Sequence, residues 1–295
     1  MTMNGFDIDK RAMRHAFSKA AKGYDAAAVL QREVCIRLLD KLDYMTLRPR
    51  RVLDVGSGTG WGGRQLGERY HEAEIISLDI ALGMLQASRE TAGWWRKLFS
   101  KNRQRFVCAD AEALPLAAQS VDMAWSNLAL QWCNDLPGTF AGLHRVLRSD
   151  GLLIFSTFGP DTLKEIRAAF QGVDGYSHVN RFADMHDIGD MLVAAGFADP
   201  VLEMETITLT YHDVRAVMQD LRGIGAHNAT AGRAQGMTGK AKWGRIVQNY
   251  EALRRDGRLP ATFEIVYGHA WKVPPKKTGD GRAVVSMDSL RGGRR

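Results

Sequence analysis

The sequence predicts a doubly wound, mostly parallel α/β sheet with a helical N-terminal cover and a late helical insertion. Three observations point there. Short apolar runs of strand length alternate with segments of helical spacing, which implies parallel strands covered on both faces. A glycine-rich loop closes the first of these runs, where such folds turn from strand into helix. After Thr157 the alternation gives way to several helices and two late strands.

The elements follow in chain order. An amphipathic region from Asp7 to Leu42 precedes Arg50-Arg-Val-Leu-Asp-Val-Gly56, the first strand and the start of its loop. Further strands are expected at Glu74–Asp79, Arg105–Ala109, Val121–Ser126 and Gly151–Thr157, with a helix over Leu136–Leu147. Helices are then expected near Asp161–Phe170, Asp184–Ala195, His212–Leu221 and Lys240–Arg254. The late strands Glu205–Tyr211 and Thr262–Trp271 pair antiparallel at the sheet edge in this reading, so that residues 211–260 form a lid-like excursion between them. The organisation is residues 1–45 as cover, 46–275 as the α/β domain and 276–295 as a Gly- and Arg-rich disordered tail.

Composition narrows the function classes. The net charge is +7, of which the tail contributes +4, and the remainder is too small to argue for nucleic acid. No apolar run approaches the roughly 20 residues that span a bilayer, and the N-terminus has no export pattern, so a cytoplasmic protein away from the membrane is expected. Cys35, Cys108 and Cys133 form no Cys-x-x-Cys pair, and His178, His186, His212 and His227 lack paired ligand spacing, so no metal is expected.

Asp54-Val-Gly-Ser-Gly-Thr-Gly60 presents backbone to a ligand at a helix N-terminus. Its spacing is Gly-x-Gly-x-Gly rather than the dinucleotide Gly-x-Gly-x-x-Gly. An acid at position 54 would repel a pyrophosphate and attract an amino group, which favours S-adenosylmethionine, a ligand with an ammonium and no phosphate. Asp79 ends the second strand about 20 residues on, where a carboxylate accepts from ribose hydroxyls. Helix capping is its competing role. Asp110, after the third strand, suits an adenine amino group, with capping again the competitor. Asn127 lies at the carboxyl edge of the fourth strand, where ligands of open α/β folds bind.

With Asp54–Gly60, Asp79, Asp110-Ala111 and Asn127 in these positions, the chain resembles the class I S-adenosylmethionine-dependent methyltransferases. A narrower resemblance rests on Phe17-Ser-Lys-Ala-Ala-Lys-Gly-Tyr-Asp25, Gln31-Arg32, Trp125-Ser-Asn-Leu-Ala-Leu-Gln-Trp-Cys133, Asn180-Arg-Phe182 and Leu221-Arg-Gly-Ile-Gly-Ala226. These look like the malonyl-acyl-carrier-protein O-methyltransferases of biotin synthesis, from about Phe17 to Trp271. Ser57 stands where that family often has Cys, and Gly93–Asn102 looks longer than usual, with Trp94, Trp95, Leu98 and Phe99 spaced as an amphipathic helix.

The resemblance implies that Tyr24, Asp54, Gly56, Ser57, Gly58, Asp79, Ile80, Met84, Asp110, Ala111 and Asn127 hold the cofactor. Trp132 and Arg181 take the substrate, Arg181 because its planar donor fork matches a carboxylate. The substrate implied is a malonyl thioester on an acidic acyl carrier protein or on coenzyme A. Its carboxylate is ionised at neutral pH and needs no general base. Lys240, Lys242, Arg245, Arg254, Arg255 and Arg258 make the excursion basic, which suits an acidic carrier or simply a solvated face. Other occupants of this fold are a quinone or small-molecule methyltransferase, which needs a base, and the respiratory-complex assembly proteins, as scaffold or arginine hydroxylase.

Overall fold

A computed structural model describes residues 7–91, 103–176, 178–223 and 239–274. Three helices come first: α1 (Lys10–Ala20), the short α2 (Tyr24–Ala27) and α3 (Val29–Lys41). Asp9 starts α1 by accepting from the N–H groups of Arg11 and Ala12, which meets the need of free donors at a helix N-terminus. The alternating body is β1 (Arg51–Val55), α4 (Trp61–Arg69), β2 (Glu74–Asp79), α5 (Leu82–Thr91), β3 (Gln104–Cys108), β4 (Val121–Asn127), α6 (Leu136–Val146) and β5 (Leu147–Phe158). Then follow α7 (Lys164–Phe170), α8 (Met185–Ala194), β6 (Ala198–Tyr211), α9 (Val214–Gly223), α10 (Lys240–Glu251) and β7 (Leu259–Lys272).

The seven strands form one sheet in the order β3-β2-β1-β4-β5-β7-β6. The first five are parallel, and β7 runs antiparallel to both β5 and β6. Over the central strands both faces are buried, alternate side chains of one strand entering opposite layers, whereas the edge strands β3 and β6 have no buried residue. Val52, Leu152 and Ile154 join the layer under α3, whereas Leu53, Val55, Leu153 and Phe155 join the layer under α6 and α8. Chain direction across the sheet reverses between β1 and β4. Open α/β sheets leave a crevice at such a switch point, outside the carboxyl ends of the strands.

β6 begins at Ala198, seven residues before the predicted start. Asp199-Pro200 has the composition of a turn, and here it makes a bulge, with Asp199 at φ 48° and the register shifting between Ala198 and Val201. An edge strand tolerates proline because one side of its backbone faces no partner. β7, predicted with β6 at the edge, lies one place inside it. The excursion between β6 and β7 holds α9 and α10, while residues 224–238 in its middle lie outside the described residues. The expected helix over 93–102 and the expected disordered tail lie outside them as well. No helix among the described residues is long and apolar enough to cross a membrane.

Candidate active site

The site begins at the carboxyl end of β1. Gly56 adopts φ 70°, and a Cβ there would stand 2.2 Å from the Cβ of Ala129, so packing alone demands glycine. Gly58, at φ 53°, differs: a Cβ there would meet nothing within 4 Å. Its open side faces the crevice, which is what close approach of a ligand to backbone requires. The loop is pinned from behind, since the Gly56 and Ser57 N–H groups donate to the Leu78 carbonyl at 2.8 and 3.0 Å.

Asp79 combines the two roles that compete for it in the sequence. Its Oδ2 accepts from the Gly58 N–H at 2.9 Å and its Oδ1 from the Ala81 N–H at 2.7 Å, which caps the turn into α5. Each carboxylate oxygen keeps a further acceptor site. Burial pushes this carboxyl up to about 6, against the pull of those two N–H groups. Asp54 is pushed up to about 7, first by burial and then by the charge of Asp79, with the Gly63 N–H opposing.

α1 and α2 roof the crevice. Lys10 reaches Asp110 and Glu112, each at 3.0 Å, and Ile8 exchanges two backbone hydrogen bonds with the Asn134 side chain. Phe17 sets its ring edge-on to Trp132 with centroids 5.2 Å apart. The pocket below the two helices has a cavity volume of about 90 Å³ and is partly open to solvent. A second pocket adjoins it, with Trp132 in both walls. This one is apolar over most of its surface, from Phe158, Leu163, Ile166, Phe170, Phe182, Met218 and Phe263. His178, Asn180 and Arg222 are its main polar groups; His178 bonds Asp174 at 2.7 Å and stacks on Phe170. Among the described residues no group of His, Cys, Asp and Glu could hold a metal ion.

A pocket at the switch point, with an open glycine and an acid after β2, suits a nucleoside-bearing ligand. Comparison with known proteins gives that geometry its family. Residues 53–155 match the methyltransferase domain family. A malonyl-acyl-carrier-protein O-methyltransferase of Gallionella capsiferriformans (strain ES-2) is 69% identical over 96% of this chain and 98% of its own. One of Laribacter hongkongensis (strain HLHK9) is 56% identical over 96% and 97%. The chain belongs to the malonyl-acyl-carrier-protein O-methyltransferase family. Among solved structures, the YcgJ protein of Bacillus subtilis superposes with a TM-score of 0.56 at 16% identity, over 80% of this chain and 98% of that one, which speaks for the fold alone.

In this member of the malonyl-acyl-carrier-protein O-methyltransferase family, Tyr24, Gly56, Gly58, Asp79, Ile80, Met84, Asp110, Ala111, Asn127 and Trp132 line the first pocket together. Tyr24 projects from α2, and burial beside Asp79 and Asp25 raises its hydroxyl pKa. Asp110 caps its own turn through the Glu112 N–H while it holds Lys10, and Asn127 ties β4 to the Gln31 carbonyl and to Ser156. Three expected residues are placed elsewhere. Asp54 and Ser57 are 3% and 8% exposed and outside the lining; Asp54, on β1, lies against Gly63 of α4 and opposite Ser77 of β2. Arg181 lies exposed, outside the lining of both pockets. His178, Val179, Asn180 and Phe182 of this loop all line the second pocket, and Arg181 alone among them does not.

Sequence pattern alone does not bring out the contribution of α1, from which Lys10, Met13 and Phe17 line the first pocket. Their spacing on one helical face is the available signal. Nor does it give a part to Asp25, whose carboxylate accepts from the Thr59 hydroxyl at 2.5 Å and so braces the glycine loop from the cover.

Proposed function

We infer that this chain transfers a methyl group from S-adenosylmethionine to the free carboxyl of a malonyl thioester, giving the methyl ester that starts biotin synthesis, and that it does so in the cytoplasm. The observation that carries the reading is the close relationship, over nearly the whole chain, to proteins named for that reaction. The site supports it. S-adenosylmethionine, when bound, supplies an electrophilic methyl on a sulfonium. The open face of Gly58 and the remaining acceptor sites of Asp79 fit its nucleoside and ribose, and Asp110 and Ala111 its base. Tyr24 and the field of Asp54 serve the methionine end.

The acceptor's carboxylate oxygen forms the new bond to the methyl carbon while the bond to sulfur breaks, leaving a methyl ester and S-adenosylhomocysteine. No proton moves, so no base is required. What the protein contributes is alignment of oxygen, carbon and sulfur, and exclusion of water by the α1 roof and Trp132. In this reading residues 1–45 are the cover, 46–275 the catalytic domain and 211–260 the lid, and the thioester arrives on an acidic acyl carrier protein or on coenzyme A.

Incubating the protein with the cofactor and a panel of thioesters tests it. Malonyl carrier protein should gain one methyl that mild ester hydrolysis removes, while acetyl carrier protein stays inert. His178 paired with Asp174 is the observation that favours a second reading, a methyltransferase for a phenol or another protonated acceptor. Methylation of a phenol with none on malonyl carriers would overturn the carboxylate reading and establish this second one.

A further inference from the structure

The second pocket has a charge pattern that the apolar walls make conspicuous. Its lining contains no Asp, Glu or Lys, and Arg222 is its one permanently charged side chain among the described residues. Arg222 stands on the last turn of α9, four residues after Met218 and one after Leu221, both of which also line the pocket. Residues four apart on a helix share a face, so the helix aims Arg222 along the wall that Met218 forms. It makes no hydrogen bond or ion pair with any described residue. Two arginines on neighbouring helices are engaged: Arg245 donates to the Gly172 carbonyl, and Arg167 to that of Pro160.

The end of α9 also abuts the cofactor side. A Cβ on Gly223 would stand 3.0 Å from the Cβ of Ala27 in α2, the helix that begins with Tyr24 of the first pocket. Arg222, exposed at the rim of the second pocket, thus stands on the helix end that abuts the cofactor-side cover. A second, independent observation marks the pocket for a polar ligand. Asn180 lines it, is 7% exposed, and its Oδ1 has no hydrogen-bond partner. A buried acceptor left unpaired is destabilising unless a ligand donates to it.

We propose that Arg222, and not Arg181, is the residue that binds the free carboxylate of the acceptor, and that Asn180 accepts from an amide N–H of the thioester's pantetheine arm. The proposal rests on the methyl-transfer reading and names how that site takes its substrate. An anion entering apolar walls needs a counter-charge, and the guanidinium fork supplies one with two parallel donors. A carboxylate offers no hydrogen to Asn180, whereas an amide N–H does, so the two residues together select an acid joined to an amide-bearing arm. As the methyl is transferred the carboxylate loses its charge, so Arg222 holds the substrate more strongly than the transition state. Its loss falls chiefly on binding.

The test uses the full chain with malonyl-loaded acyl carrier protein. Arg222→Ala should raise KM about 10- to 100-fold with a smaller change in kcat, and Arg222→Lys should recover part of the loss. Arg181→Ala should keep kcat/KM near wild type. Calorimetry with S-adenosylhomocysteine should give one affinity for all variants. The uncharged methyl-ester product should inhibit wild type and Arg222→Ala alike, a readout that a purely structural role would not produce. If Arg222→Ala melts early, Arg222→Gln, which keeps much of the side chain, is judged in its place. Wild-type KM in a folded Arg222 variant overturns the anchor while leaving the methyl-transfer reading intact. Absence of methyl ester from wild-type protein that binds S-adenosylhomocysteine overturns the reading, and the anchor with it.

Discussion

At the scale of single residues, the two buried acids near the glycine loop carry the sharpest expectations. Asp79 is already used twice by backbone N–H groups, so Asp79→Ala should both loosen Gly58 and remove acceptors for the ribose. Affinity for S-adenosylhomocysteine should fall by about ten- to a hundredfold, roughly 1.5–3 kcal/mol, as read by calorimetry. Unchanged affinity in a folded variant would remove Asp79 from the ligand. A pH dependence follows from the same pair. Asp79 is raised to about 6 and Asp54 to about 7, so through this window the folded protein keeps protons that the unfolded chain has released. These groups favour folding at low pH, and that contribution is lost as pH rises through the folded values. A bound sulfonium and ammonium favour the ionised carboxylates, so cofactor binding should expel protons near pH 6 and tighten as pH rises toward 8, by at most about tenfold per pH unit for each proton. Titration calorimetry in buffers of different ionisation enthalpy counts those protons, and a count of zero near pH 6 contradicts the argument.

At the scale of elements, the roof combines apolar packing with a few polar ties. α1 packs on α5, with Ser18 close against Gly83, and Met13 and Phe17 cluster with Ile80 and Trp132. The polar ties are Lys10 on Asp110 and Glu112 and, just before the helix, the Ile8–Asn134 pair. The side chains of the ion pairs are between 22% and 29% exposed, so each pair contributes modestly, about 0.2–1 kcal/mol. A roof over a pocket must open for exchange, and a weak latch permits that. Lys10→Ala should therefore speed release of S-adenosylhomocysteine about two- to fivefold with little change in melting temperature. Displacement kinetics by stopped flow would show it. An unchanged release rate would mean that opening does not break the Lys10 contacts.

At the scale of the whole molecule, β7 joins the parallel body to the wall of the second pocket. It lies between β5 and β6, with Phe263 on the pocket side and Gly268 against Phe155. A Cβ on Gly268 would come within 2.4 Å of the Phe155 ring and 2.8 Å of Leu202, so three strands meet there without spare volume. Gly268→Ala should cost roughly 1–3 kcal/mol by overpacking, measured by urea unfolding. A variant as stable as wild type would show that the layer yields more easily than its packing implies.

The sequence by itself determined the fold class, the glycine loop and the acid after β2, because each depends on local regularities: side-chain period, strand length and the backbone freedom of glycine. Asp79 is legible for the same reason, since its place follows from where β2 ends. The family resemblance adds Tyr24 and Trp132, which local pattern does not distinguish from packing residues. Only the tertiary structure decided which groups meet. Phe17 and Trp132, or Asn180 and Arg222, are far apart in the chain and come together through sheet order and helix docking, which periodicity does not encode. Arg181 shows the limit most clearly. Its residue type is right for a carboxylate, but it sits in a loop whose other side chains line the pocket, and a loop has no side-chain period from which the sequence could say which way Arg181 turns. Arg222 has the same chemistry and the opposite outcome, since the helix that carries it packs its Met218 face against the second pocket.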